Sequence, residues 1–217
     1  KTRSRVFSGR SVFFVLALTV MLLLAANPLY CNRWHTLASM RNVLVTGASK
    51  GIGAATALGF AKEKVNLFIH YSSDRQGAET IAAQAQVAGS TATLIQADLG
   101  TLEGVQAFTE QIKGLNIDVL VNNAGSLIGR HKMPDMPSSH WEQTIMLNLS
   151  SVFYITQAVI PHMVAQKSGW IVNVGSVAGR NGGGPGAAAY ATAKSAVSGL
   201  TKAMAKELAP SGVRVNC

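Results

Sequence analysis

Tyr190 and Lys194 stand four residues apart in the run YATAK of this 217-residue chain. The surrounding window, 187–208, carries a helical pattern, so the two side chains share one face on adjacent turns. A phenol titrates at about 10 in water and is a poor proton donor or acceptor at neutral pH unless a cation lies close. Lys194 is that cation, and the pair reads as a tuned acid/base. A second cluster lies in MRNVLVTGASKGIG (40–53), where Gly47, Gly51 and Gly53 follow a β-branched run. A tight turn from strand into helix needs residues without a Cβ. At that spacing the backbone can approach a pyrophosphate seated on the helix N-terminus, where free N–H groups and the dipole favour an anion. The spacing GxxxGxG differs from GxGxxG, and no Gly-Lys-Ser/Thr follows to make a P-loop.

These residues need a scaffold, and the rest of the chain spells one. The apolar runs 42–46, 65–71, 91–96, 118–122, 170–174 and 213–216 predict short buried strands, rich in Val, Ile and Leu. Helical windows lie between them at about 52–63, 75–88, 101–113, 139–166 and 187–208. This alternation predicts an α/β fold: a Rossmann-type, doubly wound parallel sheet in three α/β/α layers. Ser139–Glu142 (SHWE) predicts a capping box opening the fourth helix, and Pro210 with Gly212 ends the fifth. The glycine-rich stretch 179–189 reads as a loop from its start, beside whatever the fifth strand delivers.

The totals suit one medium-to-large domain, or one domain with an appendage. Nearly half the residues are apolar, at 48%, enough to bury a substantial core. The formal charge is +9, but residues 1–39 hold five basic residues and no acidic one. Removing those five from the 19 leaves 14 basic against 10 acidic in residues 40–217, a net +4. Without a basic run interleaved with aromatics, that balance reads as a solvated surface and not as a nucleic-acid face. Two cysteines, Cys31 and Cys217, make neither a disulfide framework nor a metal site, and the five histidines show no ligand spacing. Within residues 1–39, four basic residues precede the uncharged run 11–26. That layout fits a signal peptide, an uncleaved anchor or a non-native extension; at 16 residues the run is short of the roughly 20 a spanning helix needs.

TGASKGIG (46–53), NNAG (122–125) and YATAK (190–194), in that order and spacing, resemble the short-chain dehydrogenase/reductase family from about Met40 to the last residue. The resemblance implies that Tyr190 protonates a carbonyl oxygen as hydride arrives from a nicotinamide, and that Lys194 also holds the nicotinamide ribose. Ser176, in NVGS, matches the serine that hydrogen-bonds the substrate oxygen. Asn148, in MLNLSS, matches the asparagine that supports a proton-relay water. Gly47, Ser49, Lys50, Gly51, Ile52, Gly53, Asn123, Ala124 and Gly125 then belong to the cofactor site. Singly each of these residues has an ordinary structural role; jointly they match one family. Three consecutive glycines, Gly182–Gly184, make the loop before Tyr190 longer than the family's usual one.

An acidic residue ending strand two would bind a ribose 2′-hydroxyl and repel a 2′-phosphate. Strand two ends His70-Tyr71-Ser72-Ser73, and Lys50 resembles the basic residue of relatives that select the phosphorylated cofactor, so NADPH is expected over NADH. Ser72 and Arg75 are candidate further phosphate contacts. Asp98 and Leu99 suit the adenine side, with Asp98 also placed to cap the next helix. HYSSDRQGAE (70–79) and NVGSVAGRNGG (173–183) resemble the 3-oxoacyl acyl-carrier-protein reductases and their acetoacetyl-CoA-reducing relatives. The implied reaction is reduction of a 3-oxoacyl thioester carried on CoA or a carrier protein, by a homo-oligomer, dimer or tetramer, without metal or nucleic acid. Two other classes remain open: a dinucleotide-binding scaffold or sensor without turnover, and a membrane-tethered dehydrogenase of a lipid-like alcohol or ketone. The family's substrate-binding helices would follow residue 217, so the chain is expected to be incomplete at its C-terminal end and weakly active or inactive as it stands. Met40 reads as the native start, which would make the enzyme cytoplasmic; residues 1–31, if native, would anchor or export it.

Overall fold

The computed structural model describes residues 40–217; the signal-like run 11–26 lies outside the described residues. Six parallel strands form one sheet: β1 (Asn42–Val45), β2 (Asn66–Tyr71), β3 (Thr91–Gln96), β4 (Val119–Asn122), β5 (Gly169–Asn173) and β6 (Val213–Asn216), in the order β3-β2-β1-β4-β5-β6. Five longer helices cross between them: α1 (Gly51–Ala61), α2 (Arg75–Val87), α3 (Leu102–Ile112), α5 (Ser151–Ala165) and α7 (Ala188–Leu208). Two shorter ones are α4 (Ser138–Ile145) and α6 (Ala178–Asn181). The expected Rossmann-type sheet is therefore present, and every predicted strand lies within two residues of its place.

Both faces of the sheet's centre are covered, so β1, β4 and β5 are buried almost throughout, whereas the edge strands β3 and β6 alternate buried with exposed residues. Alternate residues of β1 point to opposite faces. Val43 and Val45 pack with Phe60 of α1 and Ile81 of α2, whereas Leu44 packs with Phe108 of α3, Ile155 of α5 and Leu208 of α7. β4 repeats the pattern, with Val119 and Val121 on the first side and Leu120 on the second. Registry is direct, with Val45 beside Ile69 on one flank and Val121 on the other. The strand order reverses between β1 and β4, and their C-terminal ends part there, where open α/β sheets take ligands.

Three local expectations are corrected. The fourth helical window is not one helix: α4 and α5 are joined by a π-helical turn, Met146–Ser150. Nor is SHWE a capping box, because Pro137, with φ −63°, precedes the first helical residue Ser138 and no side chain caps that end. Ser139 already lies in the first turn. The stretch 179–189 does not begin as a loop, since Ser176 Oγ accepts from Ala178 N–H at 3.2 Å and nucleates α6. Gly182, at φ +82°, then ends that helix. The stop at the end of α7 is as expected: a 3₁₀ turn containing Pro210 leads to Gly212 at φ +77°.

Candidate active site

A cleft of about 630 Å³ opens at the C-terminal ends of the strands, where β1 and β4 diverge. Its size is within the roughly 300–1,000 Å³ of small-molecule sites. The β1–α1 loop forms its floor. Gly47 and Gly51 adopt φ +62° and +60°, left-handed backbone that glycine reaches without strain. Gly53 serves packing instead: an added Cβ would run into the Gly47 carbonyl oxygen and Asn123 Nδ2. The residue following β4, Asn123, holds this loop: its Nδ2 donates to the carbonyls of Thr46 (2.8 Å) and Gly47 (2.9 Å). Thr46 Oγ1 answers by accepting from Asn123 N–H (3.0 Å) and Ala124 N–H (2.9 Å). Asn123, expected in the cofactor site, thus lines the cleft while its amide tethers the loop.

The opening turn of α1 has no side-chain cap, and Lys50 occupies the N-cap position. Amides of Gly51, Ile52 and Gly53 have no acceptor one turn back, so they present donors and a positive dipole end to an anion. Ser49, Lys50 and Ile52 line the cleft; Gly51 and Gly53 are not among its lining residues. One end of the cleft is lined by Ser72, Asp74, Asp98 and Leu99. Asp98 is not the cap of α3: its Oδ1 accepts from Gly100 N–H at 2.9 Å, and Thr101 caps the helix through Gly104 N–H at 3.0 Å. Arg75 does not line the cleft either, because its guanidinium pairs with Glu79 one turn along α2, at 2.7 Å. Asp74 does line it, with Oδ1 accepting from Gly77 N–H at 3.0 Å as the cap of α2.

At the other end stand Gly125, Ser176, Tyr190 and Lys194. α7 delivers the last two on one face, as their spacing requires, with Lys194 Nζ 5.9 Å from the Tyr190 ring centre. Lys194 is 4% exposed, and Nζ donates to the Val174 carbonyl at 2.8 Å. Burial lowers its pKa to about 8, with an attraction to Cys217 acting the other way. Asn148 sits in the π-turn, fully buried and outside the lining. Its Oδ1 accepts from Ser126 N–H (3.1 Å), and Nδ2 donates to the carbonyls of Ser126 (2.9 Å) and Thr144 (3.0 Å). A Cβ added at Gly125 would stand 2.7 Å from Asn148 Oδ1 and 3.1 Å from Lys194 Nζ. Both polar tips therefore converge on one bare backbone position.

Sequence reasoning missed Thr46, Ser126 and His70. Thr46 lies inside the motif and could have been read as a hydroxyl tie. Ser126 follows NNAG, but its role depends on a side chain 22 residues away. His70 is the penultimate residue of β2, and a polar residue within its otherwise apolar second half was the available signal.

A profile of the short chain dehydrogenases matches residues 41–217. The chain belongs to the short-chain dehydrogenase family. Family members are oxidoreductases that interconvert alcohols and carbonyls with a nicotinamide dinucleotide, and the cleft, its glycine loop and its uncapped helix suit that cofactor. A 3-oxoacyl-[acyl-carrier-protein] reductase of a Synechocystis species is 42% identical, over 83% of this chain and 73% of its own. Among solved structures, a candidate NAD(P)-dependent gluconate 5-dehydrogenase from Beutenbergia cavernae, with NADP bound at low occupancy, superposes with a TM-score of 0.75 at 36% identity. That match covers 82% of this chain and 71% of the other. An NADH-dependent reductase complexed with NAD gives a TM-score of 0.73 at 29% identity, covering 81% and 76% of the two chains.

Proposed function

We propose that this short-chain dehydrogenase reduces the 3-keto group of an acyl thioester, with NADPH as its reductant. The observation that carries the reading is the placement of Ser176, Tyr190 and Lys194 along one cleft with the uncapped N-terminus of α1. A bound nicotinamide dinucleotide supplies the hydride that reaches the carbonyl carbon. Tyr190 Oη gives its proton to the carbonyl oxygen, so the C=O becomes CH–OH. Ser176 Oγ already accepts from Ala178 N–H, which leaves its own O–H to donate to that oxygen. Lys194 steadies the phenolate left on Tyr190; the Val174 carbonyl takes one of its three donors, and the others remain for the nicotinamide ribose. Asn148 fixes Ser126 beside Gly125, and the second lone pair of Oδ1 can hold a water that returns the proton from solvent.

Residues for the cofactor follow the same geometry. The pyrophosphate would rest on the amides of Gly51, Ile52 and Gly53, and Ser49 with Ala124 and Gly125 would flank the chain of the dinucleotide. Asp98 and Leu99 would meet the adenine. Lys50 and Ser72 offer a cation and a hydroxyl to a 2′-phosphate. The thioester substrate class rests on the 42% identity to the Synechocystis reductase.

NADH is the second reading, because Asp74 lines the same end of the cleft and could bind a 2′-hydroxyl, and one similar structure is of an NADH-dependent reductase. Steady-state kinetics with acetoacetyl-CoA and each dinucleotide separate the two. The proposal expects kcat/KM at least about tenfold higher with NADPH, and a Lys50→Glu variant that erases the preference. Equal efficiency with both dinucleotides would sink the preference for NADPH.

A further inference from the structure

His70, the penultimate residue of β2, is the one buried histidine among the described residues, at 2% exposure, and it also lines the cleft. Its ring is fixed on both nitrogens. Gly47 N–H lies 2.9 Å from Nδ1; an amide can only donate, so Nδ1 is the unprotonated, accepting nitrogen. The neutral ring then carries its proton on Nε2, which donates to the Ala97 carbonyl at 3.1 Å. The main chain adds a third tie, because the His70 carbonyl accepts from Ala48 N–H at 2.8 Å. Phe108 of α3 closes the site from the side, its ring centre 4.8 Å away at 68°.

Two segments of the proposed cofactor site meet on this one side chain. Gly47 opens the β1–α1 loop, and Ala97 immediately precedes Asp98 and Leu99 at the β3–α3 turn. We infer that His70 is a positioning residue for the dinucleotide, clamping the glycine loop to the β3–α3 turn so that both are in place before the ligand arrives. The inference rests on the dinucleotide-reductase reading above. A purely apolar residue would fill the space against Phe108 but leave Gly47 N–H and the Ala97 carbonyl without partners, and buried groups left so shift to find others. Preorganised loops bind more tightly because less order has to be imposed on binding.

Burial supports the clamp by holding the imidazole neutral: its pKa falls to about 4. Protonation would place a second N–H against that of Gly47. The charged groups sharing the cleft with His70 are Lys50 on the glycine loop, Asp74 at the start of α2, Asp98 after β3 and Lys194 on α7. Of these, Asp98 attracts a proton to the ring without overcoming burial.

The test is NADPH titration of the intact protein at neutral pH, by calorimetry, in His70→Phe, His70→Asn and His70→Gln, with thermal melts of each. His70→Phe should weaken NADPH binding about tenfold, with the kinetic loss in KM for the dinucleotide more than in kcat. His70→Asn should recover most of the affinity, because its Oδ1 can take Gly47 N–H. His70→Gln, which reaches toward Ala97 instead, should recover less. Affinities equal to the wild type in all three variants, with only the melting temperature lowered, would overturn the inference and leave His70 a core filler. If His70→Phe does not fold, equal affinities of the Asn and Gln variants overturn it. A wild type that binds neither NADPH nor NADH overturns the dinucleotide reading and this inference with it.

Discussion

Lys194 carries the sharpest conflict at the residue scale. Its ammonium is buried and bonded to one carbonyl, and burial brings its pKa from 10.5 to about 8. Below pH 8 it is charged in both folded and unfolded chains, and the folded state bears the desolvation cost. Between about 8 and 10.5 the folded chain releases the proton first, so this group favours folding more as pH rises through that window. In the proposed reaction the effect runs the opposite way, because a neutral amine would no longer steady a phenolate. We therefore expect activity to fall as pH rises through about 8, and Lys194→Met to lose that limb along with most turnover. The same variant should be more stable at pH 7 by roughly 1–3 kcal/mol in urea unfolding; equal or lower stability would show that the Val174 bond outweighs desolvation. Tyr190 and Lys194 were legible in the sequence because helical spacing alone puts them on one face. His70 was not, since its partners are backbone atoms 23 and 27 residues away.

Among the elements, the glycine loop separates two uses of glycine that a motif writes alike. Gly51 has open space where a Cβ would go but sits at φ +60°, whereas Gly53 has ordinary helical backbone and no space at all. Gly51→Ala should cost about 1–2 kcal/mol of stability through strain and weaken the dinucleotide mildly. Gly53→Ala must push Gly47 and Asn123 aside, so it should abolish measurable NADPH binding while the chain still folds. Calorimetric titration of both variants checks the order, and equal effects would contradict it. The central strands were readable as apolar runs because both sheet faces are covered there, and the edge strands by alternation. The π-turn at Met146–Ser150 was not, because apolar periodicity continues through it and Asn148 is held by Ser126 from another segment. SHWE spelled a cap at Ser139, but the N-cap falls at Pro137, two residues earlier.

For the whole molecule, the alternation of strands and helices implied a doubly wound parallel sheet, and the reversal between β1 and β4 that opens the cleft is the point where that winding turns. His70 ties this architecture to pH. Its folded pKa of about 4 lies below the ordinary 6.5, so the unfolded chain binds the extra proton between those values. Stability present above pH 6.5 is lost as pH falls toward 4, by up to about 3 kcal/mol from this ring. His70→Asn should flatten the decline measured by urea unfolding between pH 7 and pH 4.5; an unchanged slope would assign the acid sensitivity to carboxylates. The proposed reaction and the fold meet at Tyr190, and the most direct measurement follows NADPH oxidation by acetoacetyl-CoA in the wild type and in Tyr190→Phe, with NADPH affinity measured alongside. The account predicts that the wild type's turnover, however slow, falls about 100-fold or more in the variant, with NADPH affinity within about twofold of the wild type. Equal rates in the two proteins, or NADPH affinity lost together with turnover in the variant, would contradict it.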